Sequence, residues 1–364
     1  MRSIILLRWA SSSKRTVDFS SLPKHHDYLE EFGTEVFGPR DVMTMGEAGG
    51  ATKEEALKYC GFDSKEFDML IHFGHCWQDC DDKNELTPGK WAKGSINVSN
   101  IKESFNKWFE MLKNQGWNLI YWHNHDQPRV ISHYGDDSEL HNQSGKMLCQ
   151  SLYLMPGTPI VYQGEEIGMT NVDYEKLNDF RDVEVFTEYD NFMSFGATHD
   201  VAMQALRDRA RDNARSPYQW DSSQNAGFSN NTPWINVNRN YNEINLEQQL
   251  EDPNSIYTCY KKIFSLRKEL KISDGTIKFL NIDDNKTFIY INKNPKSNSL
   301  FYLPMGAQIL VENIASVSSK IRTNKARVDK NFKEAWIRYY QYEYKLNDKQ
   351  REKFIEADMA EDLQ

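Results

Sequence analysis

Four short apolar runs are the feature that most constrains the fold of this 364-residue chain. They span residues 41–45, 67–73, 118–122 and 159–162, and they are continuous instead of alternating with polar residues. Continuous apolar runs are typical of parallel strands that are buried on both faces. Because helical patterns separate the runs, the sequence predicts an α/β fold with a parallel sheet or barrel.

The helical patterns have recognisable ends. Ser99 is predicted to cap a helix with apolar residues at helical spacing, and Gly116 is predicted to stop it. A second helix is predicted over residues 146–155. A third is predicted to begin at Asp252-Pro253, where a capping residue precedes a proline suited to the first turn.

Three parts are predicted along the chain. Residues 1–272 hold the strand and helix patterns, with a long polar and aromatic insertion at about 171–241. That insertion has one helical piece near residues 201–212, and its length favours a functional lid over a simple connector. Residues 273–318 carry β-like runs and predict a small β domain. Residues 319–364 form a divergent, charged tail with a helical pattern.

Composition excludes several classes of protein. With 39% hydrophobic residues the chain can bury a large core, and its net charge of -9 argues against a nucleic-acid binder. No apolar run reaches the roughly 18 residues that a membrane span needs. The five cysteines do not form a disulfide framework, so we expect reduced thiols and a cytoplasmic location. The basic, serine-rich start keeps a transit peptide open as an alternative.

A metal site is considered at Cys76 and Cys80, which lie close in sequence to His72 and His75. Zinc ligands usually come as two short pairs, and no second pair follows here. The sequence therefore predicts no metal and no cofactor.

Two carboxylates are predicted to lie at one end of the parallel strands. The motif Asn124-His125-Asp126 follows the third apolar run, and Glu47 follows Gly46 at the end of the first. Ligands of parallel α/β folds bind at the carboxyl ends of the strands. A general acid and a second carboxylate that attacks or stabilises the sugar cation are what glycoside hydrolysis requires. For Glu47 alone, a surface acid or a helix cap is an equally good interpretation.

Other residues at this end are less specific. Glu165 and Glu166 follow the fourth run beside a glycine-rich turn, which favours a structural role over a catalytic one. His75 follows the second run and could equally be a ligand contact or a satisfied polar residue. Residues 211–220 are dense in hydrogen-bond donors and aromatics, and Trp220 could stack on a sugar.

Together these motifs resemble the α-amylase family of glycoside hydrolases (family 13), and within it the branch of oligo-1,6-glucosidase, dextran glucosidase and trehalose-6-phosphate hydrolase. The similarity extends from about Pro23 to about Asn294. The motifs are Met45-Gly46-Glu47-Ala48, Asn124-His125-Asp126-Gln127-Pro128-Arg129, Tyr162-Gln163-Gly164-Glu165-Glu166-Ile167-Gly168-Met169-Thr170-Asn171, Arg211-Asp212-Asn213-Ala214-Arg215, Gln219-Trp220-Asp221 and Asn225-Ala226-Gly227-Phe228.

The resemblance implies a fold and an activity. The fold would be the C-terminal half, strands 5–8, of a (β/α)8 TIM barrel, followed by a small, incomplete β domain. The activity would be retaining hydrolysis of α-glucosidic bonds in short oligosaccharides, with isomaltose-like α-1,6 bonds as the expected substrate. The α-1,4 and trehalose-6-phosphate linkages stay open. The expected partner is a small α-gluco-oligosaccharide, with no nucleic acid and no membrane.

The resemblance also implies roles for individual residues. Glu47 would be the general acid/base and Asp126 the transition-state stabiliser. His125, Arg211 and His75 would contact the substrate. The sequence departs from the branch at Phe73-Gly74-His75, where the branch usually has Phe-Glu-His.

The nucleophile of a retaining mechanism has no counterpart here. The family carries it in a Gly-Phe-Arg-x-Asp motif that precedes the acid/base, whereas residues 1–9 contain no acid and Asp18 lacks the arginine partner. We therefore expect a fragment of an α-glucosidase with little activity alone. The alternative is a non-catalytic glucan-binding or interaction protein derived from the family.

Overall fold

The computed structural model describes residues 23–48, 50–294 and 299–305. The chain divides into two compact units, residues 1–303 and 304–364. The predicted charged tail at 319–364 and the start of the chain with Asp18 lie outside the described residues, as does most of the region from 295 to 318.

The strands and helices alternate as the sequence predicts over the first part of the chain. The strands are β1 (Met45–Glu47), β2 (Met69–Ile71), β3 (Leu119–Ile120), β4 (Thr158–Pro159), β5 (Thr276–Leu280), β6 (Phe288–Asn294) and β7 (Ser299–Met305). The α-helices are α1 (Pro23–Phe32), α2 (Lys53–Cys60), α3 (Val98–Leu112), α4 (Val130–Tyr134), α5 (His141–Tyr153), α6 (Val183–Ser194), α7 (His199–Arg209), α8 (Asp212–Arg215), α9 (Leu246–Glu251) and α10 (Ile256–Leu270). A π-helical turn spans Gly33–Phe37, and 3-10 turns span Gly89–Trp91, Leu177–Asp179, Gln224–Gly227, Arg239–Asn242 and Ile272–Asp274.

The first four strands form two parallel pairs. β1 pairs with β2, and Glu47 lies opposite Ile71. β3 pairs with β4, and Leu119 lies opposite Thr158. Each strand is shorter than the apolar run that predicted it, and β1 begins at Met45, where the first run was expected to end.

Side-chain hydrogen bonds join the two strand pairs at their carboxyl ends. The Tyr121 hydroxyl donates to the carbonyl of His72 at 2.6 Å, and the His75 ring lies 3.2 Å from the carbonyl of Trp122. The strands therefore follow one another across the sheet in chain order, and their carboxyl ends share one edge. Neighbouring parallel strands need a crossover connection, and a helix usually supplies it.

Helix α3 confirms the predicted helix but has a different cap. The Asn97 side chain accepts from the amide of Asn100 at 3.0 Å, so Asn97 is the capping residue. Ser99 was the wrong choice, because its hydroxyl instead donates to the carbonyl of Ile282 at 2.8 Å. Since that partner is 183 positions away, a local sequence pattern could not reveal it.

The predicted start of the helix near Asp252-Pro253 is also wrong. Asp252 ends α9, and its carboxylate accepts from the amide of Asn254 at 2.7 Å, closing a turn. Helix α10 begins at Ile256, and its cap is Ser255, which accepts from the amide of Thr258 at 3.1 Å. Asp252 and Ser255 are both suited to cap a helix, and Ser255, which lies closer to the apolar pattern, forms the cap.

The region predicted as an insertion with one helical piece contains three α-helices, α6, α7 and α8. Its apolar residues form a cluster of their own with Trp91. The largest members of that cluster are Trp91, Tyr174, Phe180, Phe192, Met203 and Leu206. The segment is thus packed internally. The prediction of one helical piece was therefore wrong. Helix α6 was missed because its first residue, Val183, is exposed and because the apolar face of the helix is short.

The antiparallel strands β5 and β6 pack on the helices that precede them. The Tyr290 hydroxyl donates to the carbonyl of Ser151 at 2.9 Å. The side-chain amide of Asn292 donates to the carbonyl of Leu154 at 3.0 Å. On α3 the buried Lys102 ammonium donates to the carbonyls of Asn281 and of Asp284, the latter at 2.7 Å. None of the helices in the described ranges combines the length and the apolar composition of a membrane span.

One buried arginine joins the end of α5 to the start of the β region. The Arg267 guanidinium donates to three carbonyls, those of Tyr153 at 2.6 Å, Met155 at 2.6 Å and Gly157 at 2.7 Å. It also donates to the Ser273 hydroxyl at 3.0 Å. Burial lowers the pKa of Arg267 to about 10, which leaves the group charged at neutral pH.

Replacing Arg267 with methionine should destabilise the protein by about 3 kcal/mol or more. The change keeps an apolar stem but leaves three buried carbonyls without donors, each costing about 1 kcal/mol or more. Urea unfolding followed by circular dichroism measures the effect. Replacement of the exposed Lys268 with methionine is the matched control and should move the midpoint little; equal effects of the two changes would contradict the assignment.

Candidate active site

Asp126 lies in a turn that follows β3, after the segment from Tyr121 to Asn124. The amide of Asp126 donates to the side-chain oxygen of Asn124 at 2.8 Å, and the amide of Asn124 donates to that of Gln127 at 2.8 Å. These local bonds explain why the motif combines two amide side chains with an acid. The Asp126 side chain is 15% exposed, so it reaches the surface while most of it is packed.

Two arginines contact the same oxygen of Asp126. Arg215 Nη2 donates to Asp126 Oδ1 at 3.1 Å, and Arg211 Nη1 donates to it at 3.4 Å. Both arginines come from the segment that contains α8, which the sequence identified as dense in donors. The structure therefore brings Arg211 together with Asp126, although the two are 85 positions apart.

Asp182 anchors both arginines and was missed in the sequence. Arg211 donates to its two oxygens at 2.5 and 2.7 Å, and Arg215 donates to one of them at 3.4 Å. Burial disfavours the charge of Asp182, but the bonds and charges of these arginines hold its pKa below the usual value. The available signal was its position as the cap of α6, where its side chain accepts from the amide of Glu184.

The charges around Asp126 are balanced. Lys90 donates to both oxygens of Glu184 at 2.7 Å, and Glu184 lies 3.2 Å from Arg211. Although burial opposes the charge of Arg211, its bond to Asp182 raises its pKa above the usual range. The network of Asp126, Asp182, Glu184, Lys90, Arg211 and Arg215 therefore holds three acids against three cations.

His125 is exposed beside Asp126. Its side chain is 58% accessible, and its ring Nε2 lies 3.7 Å from Asp126 Oδ1. Its carbonyl accepts from Arg215 Nε at 3.0 Å, which fixes the backbone while the ring stays accessible. The placement of His125 suits contact with a ligand.

Glu47 ends β1 and is exposed, while the preceding Gly46 is buried. A Cβ at Gly46 would lie 2.6 Å from the Phe67 ring, so only glycine fits. The pKa of Tyr121 lies well above its usual value, and burial is the main cause. Cys76 and the negative charge of Glu47 raise this pKa further. Because β1 runs parallel to β2 and Glu47 lies opposite Ile71, Glu47 is at the same strand edge as Asp126.

His75 lies in the core and not at the surface. The side chain has no exposed area, and its ring stacks on Phe105 at 4.8 Å between centroids. Burial lowers the pKa of His75 to about 3, so the ring is neutral. Contact with a substrate stays a prediction for His75, and this burial does not favour it.

Arg129 ends the motif that runs from Asn124 to Arg129, and its hydrogen bonds connect three segments at this edge. Its buried guanidinium donates to the carbonyl of Gln163 at 2.5 Å and to that of Asn213 at 3.1 Å. Its amide donates to the Asn171 side chain at 2.9 Å. Burial lowers the pKa of Arg129 to about 10, so it remains a cation.

The two acids after β4 form structural bonds. Glu165 accepts from the hydroxyls of Tyr153 at 2.8 Å and Tyr260 at 2.6 Å. Glu166 accepts from the hydroxyl of Tyr218 at 2.6 Å and from the amide of Gly164 at 2.9 Å. These contacts agree with the structural interpretation that the sequence favoured.

No metal cluster marks this edge in the part of the chain that the structure describes. No group of three His, Cys, Asp or Glu side chains is arranged there to hold a metal ion. A cavity of about 860 Å³ lies elsewhere, lined by His26, Glu30, Lys58 and Phe62 among others and by neither Glu47 nor Asp126. The half-exposed Trp220, 4.6 Å from the Tyr218 ring, is available for stacking.

A second buried ion cluster holds the helix that leads to Arg211. Arg209 donates to Asp79 at 2.8 Å, and His133 lies 3.0 Å from the other oxygen of Asp79. All three side chains are almost completely buried. Burial lowers the pKa of His133 to about 4 despite the bond to Asp79.

Comparison with known proteins places the chain in a family. The family model described as "Alpha amylase, catalytic domain" matches residues 10–275. A curated relative is the probable oligo-1,6-glucosidase 2 of Bacillus subtilis, 42% identical over 279 residues, which cover 76% of this chain and 49% of that protein. The chain spans about half the length of the curated relatives it matches.

Solved structures agree with the sequence match. Trehalose-6-phosphate hydrolase of Bacillus licheniformis is 38% identical with a TM-score of 0.69, covering 75% of this chain and 48% of that one. Isomaltulose synthase from Klebsiella sp. LX3 is 32% identical with a TM-score of 0.72, covering 78% and 50%. These neighbours are TIM-barrel enzymes, and the described residues match part of them.

The buried histidines should make the protein less stable in mild acid. The unfolded chain takes up protons at His75 and His133 below pH about 6.5, while the folded chain keeps both rings neutral. The free energy of unfolding should therefore fall by about 1 to 2 kcal/mol for each histidine between pH 7 and pH 5.

Urea midpoints measured at pH 5, 6 and 7 check this dependence. A His133→Gln variant should lose only its own share of the pH effect, because burial also lowers the pKa of His72, His75 and His123. A variant of the exposed His125 should keep the whole effect. A midpoint that does not change between pH 7 and pH 5 would contradict the burial of these rings.

Proposed function

The chain belongs to the α-amylase family of glycoside hydrolases, and we propose that it carries part of an active site that cleaves α-glucosidic bonds in short oligosaccharides. The observation that supports this most is Asp126, an acid after β3 that two arginines hold at the exposed edge of parallel strands. Such a preorganised carboxylate, once desolvated by a bound sugar, can stabilise positive charge at the anomeric carbon.

The proposed roles follow from position. Glu47, exposed at the end of β1, protonates the leaving oxygen and later activates water as general acid/base. Asp126 holds the sugar hydroxyls and stabilises the transition state, while His125 and Arg211 contact the sugar. His75 is kept as a contact only through the resemblance, and its burial makes it the weakest assignment.

The third group of a retaining mechanism has no assigned residue. Retention requires a nucleophilic carboxylate about 5 Å from the acid. We propose that the described residues supply the acid/base and the stabiliser of this site but not its nucleophile. The expectation of low activity for this chain alone rests on that proposal.

We propose the partial barrel as the structural basis. In this proposal β1 to β4 are strands 5–8 of a (β/α)8 barrel, within a part that ends at residue 272, and the region 171–241 is the long insertion. Residues 273–318 are the incomplete β domain, supported by the antiparallel pair β5 and β6. The bounds of these parts, including the tail at 319–364, stay predictions.

The proposed substrate is an isomaltose-like α-1,6-linked glucoside in the cytoplasm. Support comes from relatives named as oligo-1,6-glucosidases in Bacillus subtilis and in Parageobacillus thermoglucosidasius. A relative named trehalose-6-phosphate hydrolase leaves the linkage open.

A non-catalytic glucan-binding or interaction protein is the alternative. The observation that favours it is the pairing of Asp126 with two arginines, which suits binding even where no nucleophile is assigned. The two functions differ in whether the bound sugar is cleaved.

Hydrolysis by the purified chain tests the first function. If the chain is catalytic, it should release p-nitrophenol from p-nitrophenyl α-glucoside, and Glu47→Gln should reduce the rate by a factor of about 100 to 10,000. Gln has no acidic proton that it can transfer, yet it keeps the size of Glu. Equal rates for the wild type and this variant would show that the chain is not a competent enzyme.

Calorimetric titration with isomaltose tests binding separately. Asp126→Asn should weaken binding about tenfold or more, because a charged hydrogen-bond acceptor is lost. Asp137→Asn, a change on an exposed loop, is the matched control and should leave binding unchanged. Binding without hydrolysis supports the alternative, and neither binding nor hydrolysis would overturn both functions.

A further inference from the structure

Helices α5 and α10 lie side by side and run in the same direction. Gly145 on α5 faces Ile256 on α10 so closely that a Cβ at Gly145 would lie 2.4 Å from the Ile256 Cδ1 atom. Two turns further on, the Tyr153 ring lies 5.5 Å from the Tyr260 ring. The two helices are therefore in close contact over this length.

Cys149 and Cys259 fall between these two contacts. All five cysteines of the chain are free thiols. Cys149 lies one turn after Gly145 and one turn before Tyr153, and Cys259 lies between Ile256 and Tyr260, so the helix register places the two cysteines opposite each other. The close approach at Gly145 brings the two helices together one turn before Cys149.

The surroundings of the two sulfur atoms differ. Cys149 is completely buried, whereas Cys259 is partly exposed. The side-chain amide of Gln150 donates to the Cys259 sulfur at 3.7 Å. The Gln150 amide thus directs a donor at the sulfur of a cysteine that is only partly buried.

Electrostatics favour the same atom as a thiolate. The hydrogen bond from Cys149 is the main cause that lowers the pKa of Cys259, and Gln150, Lys146 and Lys262 lower it further against the effect of burial. Burial raises the pKa of Cys149 well above its usual value. One activated, accessible thiol beside one buried, protonated thiol is the arrangement of a redox-active cysteine pair.

We propose that Cys149 and Cys259 form an oxidisable dithiol in which Cys259 attacks and Cys149 resolves. The Cys259 thiolate attacks one sulfur of a low-molecular-weight disulfide, which breaks that S–S bond and releases one thiolate. The released thiolate takes the proton of Cys149. The Cys149 sulfur then attacks the Cys259 sulfur and releases the second small thiol. Two protein thiols are oxidised to one disulfide, and one small disulfide is reduced to two thiols.

The bond would connect α5 to α10 and so join segments 110 residues apart in sequence. Such a cross-link restricts the unfolded chain, so oxidation should raise the thermal midpoint of the protein. The site is separate from Asp126 and Glu47, and its chemistry does not depend on glycoside hydrolysis.

Oxidised glutathione is the probe for the experiment. The full chain is incubated with it, the remaining thiols are alkylated, and peptides are mapped without reduction. We expect two of the five thiols to be lost and a peptide that links Cys149 to Cys259 within one chain. Retention of all five thiols, or a link of Cys259 to any other cysteine, would overturn the proposal.

Two variants separate the roles of the thiols. Cys149→Ser should retain glutathione on Cys259 and lose only one thiol, because the resolving group is absent. Cys60→Ser is the matched control and should form the wild-type link, since burial raises the pKa of Cys60 to about 12 and keeps it unreactive. If Cys149→Ser does not fold, the peptide map of the wild type decides alone. A persistent glutathione adduct on the wild type would exclude Cys149 as the resolving thiol.

Discussion

The arrangement at the carboxyl ends of the strands depends on the buried charge of Arg129. A guanidinium without solvent must direct its donors to acceptors, and here these are backbone carbonyls of two separate segments, at Gln163 and Asn213. Its amide binds a third segment at Asn171. The turn after β3, the turn after β4 and the segment of Arg211 and Arg215 are thereby held together, and the contacts with Asp126 follow from that.

Much of the fold could be predicted because apolar runs report burial directly. All four predicted strand regions contain or touch a strand, and α3 and α10 follow the predicted apolar spacing. The caps were wrong at Ser99 and Asp252. A capping residue competes with other polar residues nearby, and the outcome depends on partners such as Ile282 that are remote in sequence.

The candidate site was predictable in part for the same reason. A position at the end of a strand indicates the edge on which Glu47, His125 and Asp126 lie, and the structure agrees. It does not indicate whether a side chain points to solvent or to the core, and His75 points to the core beneath Phe105. Asp182 was missed because its link to Arg211 spans 29 residues and joins two helices whose packing has no local pattern.

Lys102 has a consequence for the order of folding. Its ammonium reaches carbonyls 179 and 182 positions away, while the helix that carries it is built from contacts within a few residues. Closing a loop of that length costs entropy before any contact is gained, whereas a helix forms locally. We therefore expect α3 to form early and the β5–β6 hairpin to dock on it late, so that a ribosome-bound chain would display α3 with this cation exposed to water.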